Sequence, residues 1–353
     1  MAGKWGYKDV VPITAMVAVE CSDVVLSILF KAASLKGMSY FVYIAYCYVL
    51  ATLVFVPLAF LSNRKKLLLP LEFPLISRIC LLGLLGFSGQ VCAYKGLELG
   101  SPTLASAISN LAPAFTFILA VLFRIEKVSF TSSTTQAKII GTITSISGAL
   151  LIVLYKGPKV IPSSTSSSVS LQWPLESTQS NWVIGGLLEA LAYLFFSFWY
   201  IVQSKVMKIY PEEITVNVYY NMSVAIIALA ACLIKEQNLS SWTLHPSISV
   251  VSVLYSGLFG FPFSSGVHTW GVRVKGPVFV AIFRPTSIVI AVIMSAIFLG
   301  EAMYLGSVIG GVILTIGLYA VLWGKAKEEE MKDDGSGLST KVPLLKSQNV
   351  EEN

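Results

Sequence analysis

The chain has 353 residues, of which 55% are hydrophobic and only 12% are charged, and its formal net charge at pH 7 is +6. Its mean hydropathy is +0.74. Soluble globular domains have about 25% charged residues. The composition therefore excludes a water-soluble protein and predicts a polytopic membrane protein, with the lipid bilayer as its main partner. No nucleic-acid partner is predicted, because most of the basic residues lie at segment ends, where membrane topology accounts for them.

Apolar blocks of roughly twenty residues recur along the chain, and each is long enough to cross about 30 Å of hydrocarbon as an α-helix. They are too long and too evenly apolar for barrel strands, in which apolar and polar residues alternate. We therefore predict an all-α integral membrane protein with ten transmembrane helices. The approximate predicted spans are 10–33, 40–61, 75–97, 102–123, 137–155, 183–204, 213–234, 249–270, 277–299 and 303–323.

The sequence also repeats itself at a constant offset of 175 residues. The matching pairs are Gly96 with Gly271, Pro102 with Pro277, Phe123 with Phe298 and Glu126 with Glu301. After a six-residue adjustment, Gly141 and Gly148 match Gly310 and Gly317. Each unit has five predicted helices, an odd number, so the two copies must cross the membrane in opposite senses. This pattern predicts two inverted five-helix repeats at 1–155 and 182–324, an arrangement suited to alternating access.

The connecting segments predict the topology. Seventeen Lys and Arg residues fall on the side of the N-terminus and six on the opposite side, so both termini are predicted to be cytoplasmic. Residues 156–181 contain ten Ser or Thr among 26 and are predicted to be a flexible linker on the non-cytoplasmic side. The charged tail at 325–353 is predicted to be disordered.

The first predicted helix carries a polar stripe. Its members are Glu20, Asp23, Ser27, Lys31 and Ser34, which fall on one face of an α-helix. Ionisable groups inside a bilayer are costly and usually face an aqueous cavity. The acids are therefore candidates to hold a substrate amine or a proton. The alternatives are an ion-pair and hydrogen-bond network between helices and, for Lys31, a side chain that extends outward to the membrane surface.

Further polar residues interrupt other apolar spans. The sixth predicted helix contains Glu189, Tyr193, Tyr200 and Gln203, and the second and seventh contain Tyr43, Tyr46, Asn217 and Asn221. Such side chains contact a small zwitterion in a cavity or join helices to one another. Gln90 and His268 are similar cases, and for His268 a structural hydrogen bond is favoured over a proton relay.

Two prolines predict breaks in the fourth and ninth helices. A proline cannot donate the helical hydrogen bond, so Pro113, beside Asn110, is predicted to release the carbonyl of Ser109, and Pro285 that of Ala281. Pro285 matches Asn110 at the offset of 175, so both helices are predicted to break at nearly the same depth. We place the substrate site between predicted helices 1, 4, 6 and 9.

Arg284 is the most unusual residue of these spans. It lies seven residues after Pro277, about 10 Å along the helix from its predicted cytoplasmic end. Its stem either extends back to that surface or places the guanidinium in the cavity. In the cavity, Arg284 binds a substrate carboxylate, or pairs with Glu20 or Glu189 when the site is empty.

The sequence lacks the motifs of several enzymatic and metal-dependent chemistries. The sequence contains no HExxH, P-loop, GxSxG or convincing dinucleotide-binding GxGxxG. Its five cysteines form no CxxC pair. No enzymatic activity, cofactor or metal site is therefore predicted.

The sequence resembles the plant drug/metabolite exporters, a group that includes the EamA-like, nodulin-like and Walls-Are-Thin-related (UmamiT) transporters. The resemblance rests on "SPTLASAISNLAPAFTFILAVLFRIEKV" (101–128), "YKGP" (155–158), "KGPVFVAIFRP" (275–285), "LGE" (299–301) and "GLYAVLWGKAKE" (317–328). It implies the ten-helix drug/metabolite transporter fold and movement of amino acids or related metabolites, such as auxin, across the plasma or vacuolar membrane. The position of Arg284 is often a small polar residue in this family, so the arginine is a departure.

We therefore predict a secondary transporter or facilitator of small organic solutes that works by alternating access, with the plasma membrane favoured. The candidate substrate-binding residues are Glu20, Asp23, Asn110, Pro113, Glu189, Tyr200, Gln203, Asn221, Arg284 and Pro285. One alternative is a carrier of nucleotide sugars or phosphate esters, which would need several basic groups in its cavity. The other is a membrane scaffold that transports nothing. The sequence leaves a homo-oligomer open.

Overall fold

A computed structural model describes residues 7–62, 73–125, 132–155, 158–161, 179–237, 242–244, 248–284 and 286–298, and 303–327 except 307, 314, 318, 322, 325 and 326. Pro285, Glu126 and Glu301, most of the predicted linker and nearly all of the predicted tail lie outside the described residues.

Most of the described chain is helical. The helices are α1 Tyr7–Ser34, α2 Tyr40–Ser62, α3 Phe73–Leu99, α4 Pro102–Ile108, α5 Leu111–Leu122, α6 Ser133–Leu154, α7 Gln179–Ile209, α8 Glu213–Lys235, α9 Ile248–Tyr255, α10 Phe261–Val274, α11 Pro277–Ile282, α12 Thr286–Phe298 and α13 Val308–Val321. A π-helical turn, Ser256–Gly260, joins α9 to α10. Two short antiparallel strands, β1 Lys159–Ile161 and β2 Met303–Tyr304, pair with each other.

Seven of these helical stretches are long and apolar enough to cross a membrane. They are Val10–Ser34, Tyr40–Leu61, Phe73–Leu99, Pro102–Leu122, Val183–Ile209, Glu213–Lys235 and Ile248–Val274. The three remaining predicted spans correspond to α6, to α11 with α12, and to α13. Large apolar side chains such as Leu53, Leu187 and Leu233 are exposed on the outside of the bundle, where lipid would cover them. The predicted all-α membrane fold is confirmed.

The fourth and ninth predicted helices are each broken, and the two breaks match. Both begin with a proline at the first turn, Pro102 in α4 and Pro277 in α11, where the missing N–H has no helical acceptor. The second halves, α5 and α12, begin at Leu111 and Thr286, which are again 175 residues apart. The predicted coincidence of the two interruptions is therefore present in the structure.

The carbonyl groups at these breaks differ from the prediction. The Ser109 carbonyl accepts the Ala112 N–H at 2.9 Å, and the Ala281 carbonyl accepts the Arg284 N–H at 3.2 Å. The prediction that these carbonyls would be released was wrong. The chain tightens locally, so an amide three residues later takes the place of the missing helical donor.

The helices of one half pack mainly on helices of the other half. The most extensive helix–helix packing is between α3 and α7 and between α2 and α8. Small residues allow this close approach, since a Cβ atom added to Gly96 would lie 2.9 Å from the Gly185 carbonyl oxygen. This interlocking encloses polar residues from α1, α3, α7, α8 and α10 in the centre of the bundle.

Candidate functional site

A cavity of about 150 Å³ lies at the centre of the bundle. Aromatic side chains form much of its wall, among them Tyr48, Tyr94, Tyr193, Phe196, Trp199 and Tyr220. Its polar lining includes Asp23, Gln90, Glu189, Asn221, His268 and Arg284. A mostly apolar cavity with a few convergent polar groups is the usual form of a small-molecule site.

Arg284 is anchored inside this cavity by acidic and phenolic partners. Its Nη1 donates to Asp23 Oδ2 at 2.8 Å and lies 3.6 Å from Glu20 Oε2. Its Nη2 donates to the Tyr200 hydroxyl at 3.2 Å. The Arg284 side chain is 13% exposed. The arginine therefore lines the cavity and does not extend to the membrane surface.

The main chain at Arg284 lies against the break between α4 and α5. Ser287 Oγ donates to the Arg284 carbonyl at 2.7 Å. Ser109 Oγ lies 3.2 Å from the same carbonyl and donates to the Ser106 carbonyl at 2.7 Å. Ser109 and Arg284 are 175 residues apart, which equals the offset found in the sequence. This contact fixes the point from which the guanidinium enters the cavity.

The predicted stripe on α1 divides into two parts. Asp23 and Ser27 line the cavity, and Glu20 lies beside it, fully buried against Arg284. Lys31, another member of the stripe, does not line the cavity. Its Nζ donates to the carbonyls of Leu97, Glu98 and Gly100 at 3.0, 2.8 and 2.7 Å, at the carboxyl end of α3. Cavity lining and extension outward were wrong for Lys31, whereas the alternative of a hydrogen-bond network between helices agrees with these contacts. The carbonyls lack helical donors and bind its ammonium group instead.

Two more predicted residues bring polar atoms to the cavity. Glu189 of α7 lines it while being only 2% exposed, and its Oε2 accepts no hydrogen bond from the described part of the chain. Asn221 of α8 donates through Nδ2 to the Asn217 carbonyl at 2.8 Å, and its Oδ1 likewise has no described donor. Each of these side chains therefore has a buried oxygen without a hydrogen-bond donor among the described residues.

Besides Glu20, three predicted residues do not line the cavity. Asn110 Nδ2 donates to the Ala107 carbonyl at 2.6 Å and so closes the end of α4. Pro113 is buried within α5. Gln203 Nε2 donates to Thr269 Oγ1 at 3.0 Å, and Thr269 donates in turn to Asn217 Oδ1, so these residues join α7, α10 and α8. Pro285, the last candidate, lies outside the described residues.

The structure adds cavity residues that the candidate set lacked. Tyr48 lines the cavity and accepts a hydrogen bond from Gln90 Nε2 at 3.1 Å. His268 also lines it, with Nδ1 3.3 Å from Ser264 Oγ, as expected of a structural hydrogen bond. Polar side chains inside apolar spans were the available signal for Gln90 and His268. Tyr48 and Trp199 gave no such signal, because aromatic residues are common throughout these helices.

One group of described residues has the donor types of a metal site. Ligand atoms of Glu20, Asp23 and His268 lie within 4.8 Å of one another. However, the Arg284 guanidinium already lies 2.8 Å and 3.6 Å from the two carboxylates. The positive charge bound by these acids is therefore that of the arginine, and we do not identify the three residues as metal ligands.

Comparisons with known proteins agree with this architecture. The model of the EamA-like transporter family matches residues 13–154 and again residues 183–323. WAT1-related protein At5g40240 of Arabidopsis thaliana is 51% identical over 100% of this chain and 96% of its own length. WAT1-related protein At4g15540 of the same plant is 52% identical over 93% and 92%. One solved crystal structure superimposes with a TM-score of 0.57 at 13% identity, over 86% of this chain and 98% of that chain, which is a likeness of fold.

Proposed function

The chain belongs to the EamA-like transporter family, and from that premise we propose that it is a secondary transporter or facilitator of amino acids or related small organic metabolites that carry a carboxylate. The observation that carries this proposal is Arg284 in the central cavity. Its planar guanidinium binds carboxylates through two parallel hydrogen bonds. Asp23 occupies part of that fork at 2.8 Å, in the position that a solute carboxylate would take.

The size of the cavity supports a small solute. A protein cavity of about 150 Å³ is known to admit benzene, and the cavity here has about that volume. The aromatic walls would contact the carbon skeleton of the solute, while Glu189 and Asn221 offer acceptor oxygens to an amino group. Amino acids fit this combination of size and polarity, and auxin, a planar aromatic acid, fits the aromatic walls.

The alternative of nucleotide sugars or phosphate esters is less well supported. Such solutes carry several negative charges and are recognised by several basic groups. Among the described lining residues, Arg284 is the one Lys or Arg side chain, and the acids Asp23 and Glu189 would repel phosphates. The scaffold alternative leaves the buried charges of the cavity without a role, and intramembrane ionisable residues usually serve transport.

A flux assay tests the proposed function. The purified chain is reconstituted in liposomes, and uptake of labelled amino acids and small organic acids is measured across a broad panel, with phosphate esters as competitors. We expect uptake of carboxylate solutes that phosphate esters do not inhibit. If correctly inserted protein moved no member of the panel, the transporter proposal would be wrong, and inhibition by phosphate esters would favour the alternative carrier.

We also propose the membrane arrangement that goes with this function. The repeats 1–155 and 182–324 cross the plasma membrane in opposite senses, with both termini in the cytoplasm and the linker 156–181 outside; the vacuolar membrane is the alternative. The distribution of basic residues supports this orientation. Epitope tags at each terminus and in the linker, probed on intact plant protoplasts, test it. A terminal tag accessible from outside would contradict it.

A further inference from the structure

Three charged side chains lie close together, since Asp23 and Arg284 line the cavity and Glu20 is buried next to them. Arg284 contributes one positive charge, and Glu20 and Asp23, one helical turn apart on α1, contribute two carboxylates. With both acids ionised, the cluster has a net charge of −1. A bound solute carboxylate would make this net charge −2, and charge away from water is costly, so a proton is needed to balance the solute.

The two carboxylates are not equivalent. Asp23 receives the Arg284 hydrogen bond at 2.8 Å and retains some exposure, with 21% of its side chain accessible. Glu20 is fully buried, and neither of its oxygens accepts a hydrogen bond from any residue that the structure describes. Its approach to the guanidinium is 3.6 Å, longer than a hydrogen bond. Glu20 is therefore the less well stabilised anion of the pair.

The other groups that face Glu20 do not supply the missing charge. From the described part of α7, the phenols Tyr193 and Tyr200 face the cluster. From α10 comes His268, whose buried Nε2 has no hydrogen-bond partner in the described chain and whose ligand atom lies within 4.8 Å of the carboxylate oxygens. None of these three side chains carries a fixed positive charge.

We propose that Glu20 is a proton-binding site of the transport cavity, and that it takes up one proton when Arg284 binds the carboxylate of a negatively charged solute. The proton comes from bulk water through the cavity and forms an O–H bond on a Glu20 carboxylate oxygen. The added positive charge offsets the added negative charge of the solute, so the charge of the cluster is unchanged. Solute and proton then move together. The coupling rests on the proposed function, whereas the proton site rests on the geometry alone.

Infrared difference spectroscopy tests the site without any solute. The full chain in lipid nanodiscs is moved from alkaline to acidic buffer, and the C=O stretch of protonated carboxyl groups is recorded. We expect a band at the high frequency of buried, poorly hydrogen-bonded acids, which is absent in Glu20→Gln. The matched control is Glu98→Gln, because Glu98 is a partly exposed acid paired with Lys95, and its loss should leave the band intact.

The outcomes separate Glu20 from the other buried acid. Persistence of the band in Glu20→Gln, or its loss in Glu189→Gln instead, would overturn the proposal. If Glu20→Gln fails to fold, as judged by gel filtration, Glu20→Asp replaces it. This variant retains a carboxyl group in a changed position, so the band should remain but shift, and an unshifted band would also contradict the assignment.

A second assay tests the coupling. Labelled L-glutamate, whose net charge is −1, is added to liposomes that contain the protein and a pH-sensitive dye. Its uptake should acidify the lumen with the unsubstituted chain but not with Glu20→Gln. Glutamate uptake without acidification would overturn the coupling. The flux assay with the panel of solutes tests the proposed function, whereas the infrared assay tests the proton site without any solute. A failure of one is therefore distinguishable from a failure of the other.

Discussion

Arg284 contacts several polar groups of the site with one side chain. Its guanidinium reaches Asp23, Glu20 and the Tyr200 hydroxyl from one position. A lysine there would keep the charge but lose the planar fork that matches a carboxylate. The geometry of the arginine, as well as its charge, is therefore expected to determine which solutes bind.

Substitution of Arg284 separates these two properties. We expect Arg284→Lys to retain most of the thermal stability but to bind carboxylate solutes about 10- to 100-fold more weakly, since a hydrogen bond to a charged group contributes about 1.5–3 kcal/mol. Arg284→Ala should in addition destabilise the fold by about 3–5 kcal/mol, because it leaves two buried acids without their counter-charge. Solute dissociation constants and thermal unfolding are the measurements.

Arg273→Lys is the control for the two Arg284 variants. Arg273 forms its ion pair with Glu213 at a more exposed position, with 43% of its side chain accessible, and it does not line the cavity. Its replacement should change neither solute affinity nor stability by much. Equal affinities for Arg284→Lys and the unsubstituted chain would show that the fork of Arg284 binds no solute.

Lys31 provides a prediction about stability alone. Its ammonium group binds three carbonyls at the end of α3, and the side chain is buried. Lys31→Met should lower the free energy of unfolding by about 1.5–3 kcal/mol, because buried acceptors lose a charged donor. Lys95→Met removes a partly exposed ion pair with Glu98 and should cost about 1 kcal/mol or less. Equal decreases in melting temperature in the two variants would contradict the stabilising contact of Lys31 with the end of α3.

At the level of helices, the pairing of α3 with α7 depends on glycine. A Cβ atom on Gly96 would lie 2.9 Å from both the Gly185 carbonyl oxygen and Glu189 Cγ, which is closer than real contacts allow. Gly96→Val should therefore separate the two helices, displace Glu189 and destabilise the protein by about 1–3 kcal/mol or more. In Gly311→Val the new Cβ meets nothing within 4 Å, which makes this variant the control. Thermal unfolding in nanodiscs compares the two, and similar melting temperatures would contradict the close packing.

The helices were more predictable than the site. Apolar length alone predicts each span, because a bilayer imposes the same requirement on all of them. The matched breaks in α4–α5 and α11–α12 also followed from Pro113, Pro285 and the repeat. The sequence did not reveal that Ala112 and Arg284 amides would satisfy the carbonyls at those breaks, because that depends on how tightly the chain turns after each helix ends.

Polar residues in apolar helices indicated the site only in part. Glu189 and Gln203 interrupt the same helix, yet Glu189 lines the cavity while Gln203 bonds to Thr269 of α10. A buried polar side chain is satisfied equally well by a cavity or by a neighbouring helix. Which of the two it meets depends on the packing of distant segments, and spacing along one helix does not contain that information.

At the scale of the whole molecule, the two halves depend on each other. The main helix contacts, α3 with α7 and α2 with α8, join one half to the other. The cavity takes Asp23 and Gln90 from the first half and Glu189, Asn221 and Arg284 from the second. Neither half by itself encloses a site.

This dependence predicts the behaviour of a divided chain. If the chain is cut within 162–178 and the two pieces are produced together, we expect them to assemble, co-purify and retain solute flux. Each piece produced alone should aggregate or be degraded, because the small-residue faces of α3 and α7 would lack a partner. Pull-down from membranes and liposome flux are the measurements. Stable, monodisperse halves produced separately would contradict the mutual dependence.

The contact between Ser109 and Arg284 bears on the ancestry of the fold. If 1–155 and 182–324 are inverted repeats, as we propose, Ser109 and Arg284 occupy equivalent positions, and the Ser109 hydroxyl lies 3.2 Å from the Arg284 carbonyl. In a dimer of two identical ancestral halves, whatever residue stood at this position would have faced its own copy. Two serines tolerate that arrangement, whereas two buried arginines would repel each other. Ser109 in one half and Arg284 in the other avoid that repulsion, so this contact requires two halves of different sequence.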